Sequence, residues 1–102
     1  MAGFVKVAKS SELPPGKAKL VEPDGNQIAL FNVDGSFYAI ANACTHKGGP
    51  LAEGTVNGEN VTCPWHGAVF DVKTGAVLKG PTSTAVKSYA VRVAGDDIEV
   101  EI

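Results

Sequence analysis

Apolar and polar residues alternate at the C-terminus, where Ile98, Val100 and Ile102 are interleaved with Asp97, Glu99 and Glu101. A period of two puts one set on a dry face and the other in water, so the pattern predicts a half-buried strand. "SYAVRV", residues 88–93, has the same period, with Tyr89, Val91 and Val93 on one side and Ser88, Ala90 and Arg92 on the other. The "AGDD" stretch at 94–97 predicts that these two strands pair as a hairpin. Upstream, "FVKVAK", "NQIALFNV" and "SFYAIANA" are three further β-type stretches, the last two joined through Asp34-Gly35.

Turn dipeptides recur at short intervals, with Asp24-Gly25, Asn57-Gly58 and Thr74-Gly75 adding to those already named. That spacing predicts an all-β domain built from hairpins. No segment keeps a helical period; "SSEL" at 10–13 has room for one turn before Pro14-Pro15-Gly16 stops it. The expected fold is an antiparallel sandwich or barrel of six to eight strands, with a smaller module inserted at residues of about 44–80.

Composition narrows the function classes. A chain of 102 residues is one domain with a modest core, near the size at which a metal or disulfide staple becomes useful. Eleven acidic against nine basic residues give a formal charge of −2 without a basic cluster, so nucleic acid is not an expected partner. "MAGFVKVAKSSELPPG" does not have the form of a secretory signal, and apolar runs such as "FYAIA" are too short to cross a membrane. The expectation is a soluble, cytoplasmic monomer. In a reducing compartment a Cys44–Cys63 disulfide is the less expected use of two cysteines.

All cysteines and histidines of the chain fall in two patches, "CTHKGGPL" at 44–51 and "CPWHGAVFD" at 63–71. Cys44 and His46 are separated by one residue, Cys63 and His66 by two, and sixteen residues lie between the pairs. Each patch follows a β-type stretch and runs into glycine or proline, which places the four side chains on two loop tips. In extended backbone Cys44 and His46 point to the same side, roughly 6.5–7 Å apart, a distance suited to one metal or to two adjacent ones. Unrelated packing is one reading of the four residues. A structural zinc site is another, although zinc spacing usually separates like ligands rather than mixing them. The third is a binuclear iron–sulfur cluster with two thiolates on one iron and two imidazoles on the other.

"CTH" followed by "CPWH", with glycines after each patch, resembles the ligand signature of the Rieske family. "ELPPG", the hairpin strands and "FDVKTGAVLKGP" are similar to small Rieske ferredoxins, so the likeness extends over most of the chain. The resemblance implies one 2Fe-2S cluster, with Cys44 and Cys63 on the buried iron and His46 and His66 on the outer iron. It also implies one domain over 1–102, with base sheets from about 1–43 and 81–102 around a cluster-binding module of about 44–80. Two ferric ions, two sulfides, two thiolates and two neutral imidazoles carry a formal charge of about zero, which makes the cluster easier to reduce than a four-cysteine one.

High-potential members of the family carry two further cysteines, and a serine and a tyrosine that hydrogen-bond the sulfurs. Gly49, Trp65, Ala68 and Phe70 stand at those places here. Without those donors the reduced cluster is less stabilised, so the expected potential lies near the low end of the family's range of roughly −150 to +300 mV. Pro81 resembles the family's proline loop over the cluster, or is an ordinary turn proline. Trp65 is a shield, a docking-rim residue or plain packing; Lys47 steers an acidic partner or is simply solvated.

A cluster with four protein ligands has no open coordination position, and no nucleophile-and-base pair or phosphate loop is evident, so catalysis is not expected. The resemblance implies a one-electron carrier between a flavin-dependent NAD(P)H reductase and an aromatic-ring-hydroxylating oxygenase. Two alternatives remain: a small subunit of an assimilatory nitrite reductase or other reductase, and a zinc-stapled structural domain.

Overall fold

A computed structural model describes residues 3–43, 48–65, 67–80 and 84–102. Eleven strands among them form three antiparallel sheets. Sheet I has the order β1 (Phe4–Lys9), β11 (Asp97–Glu101), β10 (Val91–Ala94). Sheet II runs β2 (Ala18–Val21), β3 (Ile28–Val33), β4 (Ser36–Ala41), β9 (Ser88–Tyr89). Sheet III is β5 (Thr55–Asn57), β6 (Asn60–Thr62), β7 (Val69–Asp71), β8 (Val77–Lys79). Helical geometry among the described residues is limited to 3-10 turns at Ser10–Glu12, Pro23–Gly25 and Leu51–Glu53, and no helix there is long and apolar enough to cross a membrane.

Sheet II separates two cores, and this explains the apolar run Ile28–Phe31 of β3. Ala29, Phe31, Val33 and Ile40 share one core with Leu51, Val61, Phe70 and Val72. Ile28, Leu30 and Ala39 share the other with Ala8, Leu13, Ile98 and Val100. All six residues of β3 are buried, as expected of a strand covered on both faces. Each large apolar side chain withdrawn from water in this way contributes about 1.5–3 kcal/mol. The one polar residue of β3 is satisfied: Asn32 Nδ2 donates to the Leu13 carbonyl at 2.7 Å, and its Oδ1 accepts the Gly35 N–H at 2.8 Å.

The hairpins follow their turn residues. Val33 pairs with Ser36 across Asp34 and Gly35, whose φ angles of 51° and 91° are both left-handed, which is why Asp-Gly serves there. In β11, Ile98 and Val100 are fully buried between half-exposed acidic residues, as their alternation predicts. It pairs with β10 across Gly95-Asp96.

One expectation is corrected. Residues 88–93 do not form a single two-faced strand: Tyr89 pairs with Ala39 of sheet II, whereas Val91 pairs with Val100 of sheet I. The chain changes sheets at Ala90, whose carbonyl accepts the Glu101 N–H at 2.9 Å. Tyr89 and Val91 pack on the core, but Val93, near the turn end of an edge strand, is 49% exposed. Sheets I and II together hold seven strands, within the six to eight expected, and sheet III adds four more. Strand β2 and the segments of sheet III, at three or four residues, are too short to display a period.

Candidate metal centre

Of the four residues singled out in the sequence, the structure places Cys63. Cys44, His46 and His66 lie outside the described residues, as do Lys47 and Pro81. Cys63 follows β6, and its N–H donates to the Ala68 carbonyl at 2.7 Å, next to the Thr62–Val69 pair that ends the β6–β7 ladder. Its side chain is 2% exposed and belongs to the core that contains Leu51, Ala68 and Phe70. A thiol at a loop end is thereby kept out of water.

The thiol has a specific neighbourhood. The Trp65 N–H donates to Cys63 Sγ at 3.4 Å. Gly49, from the other patch, is buried against the same sulfur: a Cβ on it would stand 2.6 Å from Cys63 Sγ and 3.1 Å from Trp65 Cβ and Cγ. Its backbone is not in the left-handed region, so glycine is needed here for space rather than for conformation. The two patches therefore meet at Cys63, with Trp65 half-exposed beside the contact.

The first patch is held at its base by a bridge between Ala43 and Pro50. Leu51 follows and is fully buried in the same core as Cys63. Ala68 and Phe70 are also fully buried, and they offer that core a methyl and a benzyl group with no hydroxyl. Sequence reasoning noted Gly49 as the absence of a cysteine but missed its steric role. The signal available was the run Gly48-Gly49-Pro50, which is short of side-chain volume.

Residues 3–90 match the family model for the Rieske [2Fe-2S] domain. The chain belongs to that family. The donor chemistry described above fits such a group: a soft thiol, dry, accepting a backbone N–H, in a cradle that one added methyl group would fill. The cofactor of this Rieske domain is one 2Fe-2S cluster of the Rieske type.

The Rieske domain is 39% identical to the ferredoxin subunit of a biphenyl dioxygenase from Pseudomonas sp. strain KKS102, covering 96% of this chain and 91% of that protein. A solved complex of reduced oxygenase and oxidised ferredoxin in carbazole 1,9a-dioxygenase contains a chain that superimposes with a TM-score of 0.90 at 33% identity, over 95% of this chain and 91% of that one. A Mycobacterium tuberculosis protein named for the small subunit of an NADH-dependent nitrite reductase superimposes with a TM-score of 0.89 at 28% identity, over 100% and 96% of the two chains.

Proposed function

We propose that this Rieske domain is the ferredoxin of an aromatic-ring dioxygenase system, a one-electron carrier rather than an enzyme. The observation that carries the reading is the likeness to the biphenyl dioxygenase ferredoxin subunit over nearly the whole of both chains. In this reading Cys44 and Cys63 hold the inner iron, and His46 and His66 hold the outer one. When bound, the cluster accepts and releases one electron. Cys63 anchors it from the dry side, where Leu51, Ala68 and Phe70 exclude water. Trp65 supplies an N–H to the sulfur, and the absence of hydroxyls at 68 and 70 keeps the potential low. The base sheets are residues of about 1–43 and 81–102, and the cluster-binding module about 44–80.

The donor is a flavin-dependent NAD(P)H reductase and the acceptor a terminal oxygenase, both meeting a monomeric carrier in the cytoplasm. Support for the acceptor comes from the carbazole dioxygenase relative, which is seen with its oxygenase. Redox encounters of this kind use small, short-lived interfaces, and the half-exposed Trp65 next to Cys63 is suited to the centre of one. The likeness to the nitrite reductase subunit favours a second reading, a permanent subunit of a larger reductase.

Iron and sulfide analysis with the EPR spectrum of dithionite-reduced protein tests the cluster and its mixed ligands. NADH-driven oxygenation of an aromatic substrate, reconstituted from reductase, this protein and oxygenase, tests the role. Turnover should depend on added carrier. Co-purification as a fixed complex with a nitrite-reducing partner would replace the carrier reading with the second one.

A further inference from the structure

The two ligand loops are closed by different means. In the second, the main chain is sufficient: Thr62 pairs with Val69 and the Cys63 N–H reaches the Ala68 carbonyl. The first loop returns through Pro50, which has no N–H to extend a ladder, and among the described residues its strand pairing is the isolated bridge between Ala43 and Pro50.

Asn42 takes over that task. It is 5% exposed just after β4, two positions before Cys44. Beyond the loop, the turn Leu51–Glu53 begins with two N–H groups that it cannot satisfy itself, since its own bonds start with Glu53 to Pro50 and Gly54 to Leu51. Pro50 offers no side-chain cap. Both N–H groups go to Asn42: Leu51 donates to its main-chain carbonyl at 2.8 Å, and Ala52 to its Oδ1 at 2.8 Å. The Asn42 N–H in turn donates to the Gln27 carbonyl at 3.0 Å, which ties the arrangement to sheet II.

We propose that Asn42 is a positioning residue for the cluster, clasping Leu51 and Ala52 so that the loop bearing Cys44 and His46 stays in its ligating place. The proposal rests on the assignment of Cys44 and His46 as ligands. The Ala52 N–H is partly buried, and deprived of its acceptor it favours opening, which here lifts one half of the ligand set away from Cys63. A merely structural asparagine would weaken sheet II as a whole instead.

The test compares iron-loaded Asn42→Leu, which has similar size and keeps the main-chain carbonyl for Leu51 but has no side-chain acceptor for Ala52, with Asn42→Asp, which keeps that acceptor; Asn42→Ala replaces the leucine variant if that one does not fold. Iron release to a chelator should be roughly ten- to a hundredfold faster in the variant without that acceptor. Hydrogen exchange should rise in residues 50–54 and stay unchanged across 28–41, and the aspartate variant should return both readouts to within a few-fold of the parent. Unchanged iron release, an exchange increase spread evenly through β3 and β4, or an aspartate variant as leaky as the leucine one would each overturn the proposal. His46→Ala separates the two layers. If it bleaches the cluster while Asn42→Leu does not, the positioning role alone falls; if it leaves the EPR signal intact, the ligand assignment fails first.

Discussion

Gly49 and Cys63 touch so closely that a single methyl group on the glycine would have to lie 2.6 Å from the cysteine sulfur. A Gly49→Ala variant must therefore push the first loop off the second. Overpacking of this kind costs about 1–3 kcal/mol. The expected result is a lower melting temperature of the loaded protein and faster loss of its visible absorbance in the presence of a chelator.

Trp65 is 49% exposed, so its ring contributes little to the core. Trp65→Ala should change folding stability by less than about 1 kcal/mol. As a docking centre it should matter far more: loss of an aromatic anchor costs about 2 kcal/mol or more of association, roughly a 30-fold weaker complex. Stopped-flow reduction of the oxygenase at varied carrier concentration reads the change as a raised half-saturation value with a small effect on the limiting rate.

Ala68 and Phe70 are fully buried in the core that contains Cys63. Adding hydroxyls with Ala68→Ser and Phe70→Tyr supplies donors toward the sulfurs and stabilises the reduced state. Taking a charge-assisted hydrogen bond at its ordinary strength, the midpoint should rise on the order of 50–100 mV. Spectroelectrochemical titration checks the direction, and a fall in potential would contradict it.

Gly75 has φ of +79°, and the Val86 carbonyl lies where its Cβ would be. The Val86 N–H also donates to the Gly75 carbonyl at 3.0 Å, so the two backbones are in contact. Gly75→Ala combines left-handed strain with a backbone collision and should cost about 2–4 kcal/mol. Thermal or denaturant unfolding measures it, and a neutral result would mean that the segment around Val86 can move aside.

Lys73, between β7 and β8, and Glu59, between β5 and β6, form a 3.1 Å ion pair, and Lys73 Nζ also lies 5.6 Å from the Tyr38 ring centroid in sheet II. The hydrogen bond to Glu59 raises the lysine pKa above its ordinary value of 10.5. A raised folded value means that the contribution is fully present below the unfolded value and lost as pH climbs through the folded one. The stability difference between the parent and Lys73→Met should thus be small, constant at neutral pH, and begin to fall only as pH rises past 10.5. Added salt should shrink it as well, because the pair is exposed.

The amino-acid sequence by itself determined the all-β class, the principal hairpins and the placing of Cys63 at a loop end. These depend on neighbours a few positions apart: the alternation of Ile98 and Val100 with acids, the Asp34-Gly35 turn, and the β-type stretch that runs through Cys63 into a proline. Tertiary structure alone decided that β3 is dry on both faces, that the run through Ala90 serves two sheets, and that Val93 is left exposed on an edge strand. It also brought Gly49 onto Cys63 and both free N–H groups of the Leu51 turn onto Asn42. Such contacts join segments whose distance in space is set by how sheets stack, and no local period records which glycine will face a sulfur or which asparagine will be buried.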